Sequence, residues 1–362
     1  MLGKPRILLL SAYDAGSHKR WREQLVASQP DFEWQQLALP PRFFRWRIRG
    51  NALSWLDEPA LQQQWDLLIV TSMVDLTSVR AFHPHLALTP ALLFMHENQF
   101  AYPPSHGQHS SAEPQMVNLY SAITADCVLF NSDWNRRSFL QQAGHFLDKM
   151  PDELPDNVLS RIAQKSQVLP VPIEDSLFRK REAPVKRDCP HLLWNHRWEY
   201  DKGPDRLLLL LKALAECGQE FSISIVGEQF RRKPQAFAEI RKHFETKIRH
   251  WGYIESQTGY RQLLATADIV ISTALHDFQG LAMLEAMASG CLALAPDRLA
   301  YPEYIPAAQC YRSDPNNPVA EAQDAARCLV NLLETAEPES PDAWRLSNLS
   351  PQYEQVINTL LN

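Results

Sequence analysis

Two carboxylates and a glycine turn lie within one short stretch of the second half of the chain. Asp277 comes just before Gly280, and Glu285 follows on a segment whose apolar residues recur at helical spacing. A helix beginning after Gly280 would present free backbone N–H groups and a partial positive charge, which together hold phosphate. One carboxylate could then meet sugar hydroxyls and the other a ribose. The stretch predicts a nucleotide-sugar site with donor contacts from Asp277, Phe278, Gln279, Gly280, Leu281 and Glu285.

The same stretch also has an ordinary structural interpretation. Leu281, Leu284 and Met287 would form a stripe facing the core, and Gly290 would end the helix. Taken alone, a pair of carboxylates on an apolar helix does not separate the two interpretations. The neighbouring motifs must decide between them.

A basic pair precedes another predicted helix, which starts at Pro204. Arg197 offers a planar fork and Lys202 a point charge, so the two could neutralise one diphosphate without a metal. Basic residues are often simply solvated, but Gly203 beside Lys202 favours the phosphate interpretation. Two further strand ends, at Gly227 and Tyr253, could bring backbone or an aromatic ring to a nucleotide, or could be ordinary turns.

The first half carries a histidine at the end of a predicted strand. A lone histidine is more often structural, but His96 is followed by Glu97 and Asn98, which favours a functional interpretation. A turn into a helix near the N-terminus could bring backbone to a phosphate or an acceptor. The candidate acceptor contacts are Gly16, Ser17, His18, Asp75, Glu97 and Asn98.

Short β-rich runs alternate with helical patterns along the whole chain, which predicts an α/β architecture with largely parallel sheets. In such folds active sites form at the carboxyl ends of strands. We therefore expect four loops of the first half, Asp14 to His18, Thr71 to Asp75, His96 to Pro104 and Asn131 to Asp133, to converge on one rim. The predicted strands are Ile7 to Tyr13, Phe32 to Leu37, Asp66 to Ser72, Ala91 to Met95, Cys127 to Phe130, Gln167 to Leu169, His191 to Asn195, Phe221 to Val226, Arg249 to Tyr253, Ile269 to Ser272, Cys291 to Ala295 and one near Cys310.

A length of 362 residues predicts about two domains. The segment Lys180 to Asp188 is charged and contains a proline, as interdomain linkers do. We expect an N-terminal acceptor domain at 1–183 and a C-terminal donor domain at 184–340. The stretch 341–362 reads as a helix that packs back on the first domain.

Composition excludes several classes of protein. No apolar run approaches the roughly 18 residues that cross a bilayer, and the start shows no cleavable signal pattern, so we expect a cytoplasmic protein without a membrane partner. Six cysteines without a C-x-x-C pair predict reduced, mostly buried thiols rather than a zinc site or a disulfide framework. A net charge of −6 argues against a uniformly basic nucleic-acid binder.

Two local segments are basic nonetheless. Basic side chains attract phosphates, and interleaved aromatics can stack on an unpaired base, which suits an RNA loop. A basic aromatic segment can equally lie on a membrane surface or cover its own domain, and the residues alone leave these alternatives open. The candidate RNA contacts are Arg42, Arg45, Arg47, Arg49, Arg231, Arg232 and Lys233.

The second half resembles the nucleotide-binding domain of retaining GT-B glycosyltransferases of family 4, through Arg197, Lys202-Gly203, Ile225 to Glu228 and the acidic pair ending at Glu285. The first half resembles the N-terminal domain of the tRNA-queuosine α-mannosyltransferases, through Ser11 to His18 with Trp21, Met95 to Pro103, and Asn131 to Asn135. The resemblance implies an α/β GT-B fold, with two Rossmann-like domains facing each other across a cleft. It also implies transfer of mannose from GDP-mannose to the cyclopentenediol of queuosine in tRNA(Asp), with retention at the anomeric carbon.

The resemblance also implies roles for single residues. Arg197, Lys202 and the amides after Gly280 would stabilise the charge that grows on the leaving phosphate. His96 would line the donor sugar, and Asp277 completes the catalytic set. Retaining transferases of this fold substitute on the same face, so we assign no protein nucleophile, no cofactor and no metal, and the chain has no D-x-D element. One departure stands out, because the family pattern begins with Glu where this chain has Asp277.

Two other functions stay open on the residues. One is hexose transfer to a lipid or polysaccharide, with the Arg42 to Arg49 segment as a membrane contact. The other is a nucleotide-sugar or RNA-binding module without turnover. Residue types do not fix the hexose, the nucleotide base or the oligomeric state.

Overall fold

The structure is a computed structural model that describes residues 3–102, 112–179, 188–231 and 233–362. By its internal contacts the chain divides into two compact units. The first comprises residues 1–172 and 346–362, and the second comprises residues 173–345. The sequence had placed the divisions at 183/184 and 340/341. Most of the predicted linker, 180–187, lies outside the described residues.

The first unit is built on a parallel six-stranded sheet in the order β2-β1-β3-β4-β5-β6. The middle strands are buried on both faces, which is why they read as continuous apolar runs rather than as an alternation. The strands are β1 Arg6–Ser11, β2 Glu33–Ala38, β3 Leu67–Thr71, β4 Ala91–Met95, β5 Cys127–Phe130 and β6 Ser166–Val168. The helices between them are α1 Gly16–Ser28, α2 Phe44–Ser54, α3 Leu76–Phe82, α4 Glu113–Thr124, α5 Asp133–Leu147 and α6 Val158–Gln164.

The second unit repeats this architecture with a parallel sheet in the order β12-β11-β10-β7-β8-β9. Gly203 adopts a left-handed conformation (φ 66°) and Pro204 follows it, so the chain turns sharply from β7 into α7. The strands are β7 His191–Asn195, β8 Ser222–Val226, β9 Ile248–Gly252, β10 Ile269–Ile271, β11 Leu292–Pro296 and β12 Cys310–Tyr311. The helices are α7 Pro204–Glu216, α8 Ala236–Phe244, α9 Gln257–Thr266, α10 Leu281–Ala288 and α11 Pro318–Thr335.

The last helix, α12 Leu346–Leu361, belongs to the first unit. Its Tyr353 is buried, accepts a hydrogen bond from Trp21 Nε1 at 3.0 Å and donates one to the Pro170 carbonyl at 2.9 Å. The predicted helix began too early, because residues 342–344 form a separate short 3-10 turn.

All twelve predicted strands are present in the described chain, each within a residue or two of its expected bounds. The α/β architecture is thereby confirmed. The prediction of mostly buried thiols was wrong. All six cysteines are free, but only Cys127 and Cys291 are buried. No helix in the described ranges is long and apolar enough to cross a membrane.

Candidate active site

The predicted phosphate-binding lysine is buried at the carboxyl end of β7. Lys202 is 7% exposed, and its Nζ donates to the carbonyl of His276 at 2.7 Å. The same Nζ lies 3.5 Å from a carboxylate oxygen of Asp201 and 3.5 Å from one of Asp277. Arg197 is different, because its side chain is half exposed and its guanidinium lies 3.1 Å from Glu199. The lysine is therefore fixed in place, whereas the arginine extends to the surface.

The turn into α10 is closed by Asp277. Its carboxylate accepts hydrogen bonds from the Gly280 amide at 3.1 Å and from the Tyr301 hydroxyl at 3.3 Å. Gly280 has φ 77°, and a Cβ there would overlap the Tyr304 hydroxyl. Only glycine fits this turn without strain. The amides of Met283 and Leu284 bond to the Gly280 carbonyl, so the amides of Leu281 and Ala282 are those that α10 presents at its start, near the Asp277 carboxylate.

The electrostatics of this loop cluster follow from burial and from Lys202. Burial alone would raise the pKa of Asp277, but Lys202, two histidines and the Gly280 amide outweigh it and lower the pKa to about 2. Burial, followed by the charge of Lys202, lowers the pKa of His196 and of His276 to about 4 each. At neutral pH the cluster therefore holds an ionised Asp277 beside two neutral imidazoles.

Glu285 lies on α10 and is 5% exposed. Its Oε2 accepts a hydrogen bond from the Tyr260 hydroxyl at 2.5 Å, and that hydroxyl accepts one from Asn195 Nδ2 at 2.7 Å. A strand end and two helices, β7, α9 and α10, thus meet at one carboxylate. Glu285 was predicted from the sequence, whereas its partners Tyr260 and Asn195 were not.

The remaining predicted donor contacts differ in exposure. Gly227 has φ 140°, and a Cβ there would overlap the carbonyl oxygen of His196, whose amide bonds to Val226 at 3.1 Å. The close approach expected of a nucleotide at Gly227 is thus made by the backbone of the protein itself. Phe278 and Gln279 are buried, Leu281 is half-buried, and Tyr253 is exposed.

In the first unit a second buried group forms around Glu97. The Nε2 of His18 lies 2.8 Å from Glu97 Oε2, and Ser72 Oγ donates to Glu97 Oε1 at 2.6 Å. The ring of His96 stacks on that of His18, with centroids 4.1 Å apart, and burial followed by the charge of His18 lowers the pKa of His96 well below its usual range. The expected convergence of the strand-end loops is confirmed here, because Asn131 Nδ2 also donates to the His96 carbonyl at 2.8 Å. Pro103 and Pro104 lie outside the described residues.

This group leaves two imidazole nitrogens unpartnered. His18 Nδ1 and His96 Nε2 are buried without a hydrogen-bond partner in the part of the chain that the structure describes. The Glu97 carboxylate accepts a hydrogen bond from His18 Nε2–H, and in the neutral ring this leaves Nδ1 as an acceptor. Both unpartnered nitrogens are available to a hydroxyl group of a ligand.

Two of the predicted acceptor contacts have partners within the protein. Asn98 is fully buried, and its amide donates to Asn135 Oδ1 at 2.8 Å while its oxygen accepts from the Phe100 and Ala101 amides. Asp75 is 1% exposed, caps α3 through the Ser78 amide and lies 2.6 Å from Arg49. Both residues hold together the loops that carry the site, and their contact with an acceptor stays a prediction. Gly16 and Ser17 are exposed at the start of α1.

The residues predicted to contact RNA differ in their exposure to solvent. Arg42, Arg45 and Arg49 are exposed, whereas Arg47 is buried, and their assignment as phosphate contacts stays a prediction. In the second unit Arg231 and Lys233 are exposed, and Arg232 lies outside the described residues.

Several residues of the two groups were not predicted as site residues from the sequence. Tyr301 and Tyr304 contact the Asp277 turn, and Ser72 contacts Glu97. A tyrosine in a loop carries no spacing rule that links it to a distant carboxylate. Ser72 could have been found, because it lies at a strand end that was expected on the same rim.

Comparison with known proteins places both halves of the chain. Residues 6–173 match a family model described as tRNA-queuosine alpha-mannosyltransferase N-terminal, and residues 190–334 match one described as glycosyl transferases group 1. A tRNA-queuosine alpha-mannosyltransferase of Drosophila melanogaster is 34% identical over 318 residues, covering 86% of this chain and 84% of its own.

Two further similarities are more distant or shorter. A GDP-mannose-dependent alpha-(1-6)-phosphatidylinositol dimannoside mannosyltransferase of Mycobacterium tuberculosis is 32% identical over 138 residues, which is 38% of this chain and 35% of that protein. The sucrose-phosphate synthase of Thermosynechococcus elongatus superposes with a TM-score of 0.68 at 14% identity, covering 98% of this chain and 99% of that one. At that identity the structural likeness establishes the fold alone.

The two parallel six-stranded units and the group 1 match define a glycosyltransferase with the GT-B type of fold. Within that class, the long match to the Drosophila protein is decisive. The chain belongs to the tRNA-queuosine alpha-mannosyltransferase family. The family resemblance predicted from the sequence is confirmed.

Proposed function

We propose that the protein transfers mannose from GDP-mannose to the cyclopentenediol of queuosine in tRNA(Asp), with retention at the anomeric carbon. The observation that carries this proposal is the 34% identity to the Drosophila enzyme over 86% of the chain. The name of the mycobacterial relative, which is GDP-mannose-dependent, supports the donor. We place the reaction in the cytoplasm, because the proposed acceptor is a tRNA and needs no membrane to present it.

The geometry of the second unit supports a donor site there. Arg197 is half exposed and forms an ion pair with Glu199, and we assign its guanidinium to the diphosphate. Lys202 and the first amides of α10 supply fixed positive charge that needs no rearrangement. Glu285, held by Tyr260, is placed to accept from ribose hydroxyls, and Asp277 is ionised and can accept from hexose hydroxyls.

These groups suit a same-face substitution. The bond between the anomeric carbon and the β-phosphate oxygen breaks, and a bond from an acceptor hydroxyl oxygen to that carbon forms on the same face. The hydroxyl proton passes to the departing phosphate oxygen. Arg197, Lys202 and the α10 amides stabilise the negative charge that develops on this phosphate, so neither a protein nucleophile nor a metal ion is part of the proposal.

The first unit contributes hydrogen-bond acceptors. His18 Nδ1 and His96 Nε2 are buried and unpartnered among the described residues, and both can bond a hydroxyl group, which donates as well as accepts. Glu97 fixes the tautomer of His18, so we assign it as a positioning residue rather than as a direct contact.

The test is a transfer assay with the purified protein and queuosine-containing tRNA(Asp). The tRNA is incubated separately with GDP-mannose, UDP-glucose and UDP-galactose, digested to nucleosides and analysed by mass spectrometry. We expect one hexose on queuosine with GDP-mannose alone. No modified nucleoside, or one formed only with a UDP-sugar, would refute the proposed reaction.

A further inference from the structure

A basic aromatic surface covers the start of α2 in the first unit, formed by Arg42, Phe43, Arg45 and Trp46. Phe43 is 69% exposed and Trp46 is 53% exposed. Residues 34–56 contain no aspartate or glutamate, so no carboxylate within this stretch offsets the arginines. Large apolar rings in such a cationic setting mark a recognition surface rather than a core element.

Trp46 packs its indole against its own helix. A Cβ at Gly50, one turn further along α2, would overlap the indole, with Cδ2 only 2.7 Å away. The indole therefore contacts the backbone at Gly50, while 53% of the residue remains exposed to solvent. Glycine is less stable than alanine inside a helix, but here it is what permits this position of the ring.

Phe43 is held outward by its backbone. It adopts a left-handed conformation with φ 56° and ψ 50° immediately before α2, a region that bulky residues rarely occupy. The guanidinium of Arg42 lies 5.5 Å from the centroid of the Phe43 ring. Local strain of this kind is typical of recognition sites.

Contacts within the first unit connect this surface to the loops of the His18 group. The ring of Phe44 meets Tyr13 edge to face at 6.1 Å, in the loop that leads to His18. Asn51 Nδ2 donates to the Met73 carbonyl at 3.1 Å, and Met73 follows Ser72, which bonds Glu97. The surface therefore rests on the two loops that carry the buried acceptor group.

We infer that this surface binds unpaired nucleotides of the RNA substrate, with Phe43 and Trp46 stacking on bases and Arg42 and Arg45 contacting phosphates. This inference rests on the proposed function and extends it to a residue-level contact. Exposed aromatic rings beside arginines suit base stacking with phosphate contacts, and because the proposed substrate is a tRNA, we assign the surface to RNA rather than to a membrane. Stacking on splayed bases is also how proteins commonly read single-stranded RNA loops.

The experiment compares four variants with the wild type. Trp46→Ala and Phe43→Ala remove the rings. Gly50→Ala keeps the Trp46 indole but displaces it from its contact with the backbone at residue 50. Leu88→Ala is the matched control, because Leu88 is 95% exposed in the same unit but lies before the amino end of β4, whereas the basic aromatic surface follows the carboxyl end of β2. Dissociation constants for queuosine-containing tRNA(Asp) and for GDP are measured at one salt concentration, together with flotation on vesicles containing anionic phospholipid.

We expect Trp46→Ala and Phe43→Ala each to weaken tRNA binding roughly ten-fold or more. Gly50→Ala should weaken it in the same direction, while Leu88→Ala leaves it unchanged and GDP affinity stays constant throughout. Unchanged tRNA affinity in both ring variants, or a loss of vesicle binding in place of RNA binding, would overturn the inference. If Gly50→Ala does not fold, the two exposed ring positions still decide the matter.

The transfer assay with the wild type distinguishes failure of the proposed reaction from failure of the proposed RNA-binding surface. Transfer by the wild type with normal tRNA binding by Trp46→Ala refutes the surface alone. Absence of transfer by the wild type, with weakened tRNA binding by Trp46→Ala, refutes the proposed reaction and supports the surface.

Discussion

Tyr260 connects Glu285 to Asn195 through one hydroxyl that donates to the carboxylate and accepts from the amide. A hydrogen bond to a charged group is worth about 1.5–3 kcal/mol, and Glu285 is buried where solvent cannot replace it. We therefore predict that Tyr260→Phe lowers affinity for GDP about ten-fold with the fold intact. Calorimetric titration with GDP measures this.

Two comparisons give that prediction its control. Tyr120→Phe removes a hydroxyl from an exposed tyrosine of the first unit and should change nothing. If Tyr260 acts through Glu285, then Tyr260→Phe in a Glu285→Ala background should cost no further affinity. Equal losses in both backgrounds would show that the hydroxyl acts independently of Glu285.

Glu97 determines which nitrogen of His18 carries the proton. A glutamine at this position has the same size, but its NH₂ group would donate to Nε2 and move the ring proton to Nδ1. We predict that Glu97→Gln lowers kcat for transfer to tRNA roughly ten-fold or more, while GDP affinity is unchanged. Glu23→Gln, at an exposed position on α1, is the control. A normal kcat in Glu97→Gln would contradict the positioning role.

Residue types and spacing drew attention to the charged residues of the candidate site but not to the residues that hydrogen-bond to them. Arg197, Lys202, Asp277 and Glu285 stand out because glycine, proline and helix-start signals surround them. Tyr260 lies in an ordinary amphipathic helix, and only the packing of α9 against α10 brings its hydroxyl to Glu285. The loop contacts of Asn98 were not predicted, because a polar residue in a loop looks the same in the sequence whether it binds a ligand or ties the loop together.

At the scale of elements, the loops after β7 and β10 in the second unit bury two neutral histidines beside Lys202. The ordinary pKa of histidine is 6.5, and those of His196 and His276 are about 4. As the pH falls from 6.5 to 4, the unfolded chain therefore binds protons at these positions that the folded protein does not. The stability contributed by each neutral histidine is complete above pH 6.5 and is lost progressively toward pH 4, by roughly 3 kcal/mol for each histidine.

Urea unfolding at pH 7, 6 and 5 checks this dependence. We predict that the free energy of unfolding falls across this range, and that His196→Gln makes the fall shallower. His243→Gln removes an exposed histidine from α8 and should leave the slope unchanged. A His196→Gln variant as pH-sensitive as the wild type would contradict burial of the neutral imidazole.

Sequence signals predicted the first residue of some helices correctly and of others incorrectly. Pro204 after Gly203, and Leu281 after Gly280, begin their helices where the sequence placed them. The C-terminal helix starts later than expected, because polarity and spacing do not distinguish a 3-10 turn at 342–344 from the first turn of a helix.

At the scale of the whole molecule, the alternation of strands and helices was sufficient to predict two α/β units. The division between the units was harder, since the contacts place residues 173–179 with the second unit although they precede its first strand. Charge and proline content predict where a chain is exposed, and packing decides to which unit a segment belongs. The return of α12 to the first unit was predicted by the sequence only as a possibility of packing, and the Trp21–Tyr353 contact now gives it a physical basis.

The central claim is that the second unit binds a nucleoside diphosphate through Arg197, Lys202 and the start of α10. Calorimetric titration of GDP and GDP-mannose into the wild type, Arg197→Ala and Arg327→Ala tests it most directly, because both arginines are exposed enough to be replaced without unfolding the chain. We predict saturable binding by the wild type and by Arg327→Ala, and binding roughly ten-fold weaker or more by Arg197→Ala. A wild-type protein that shows no affinity for GDP, GDP-mannose or a uridine diphosphate sugar would contradict the account.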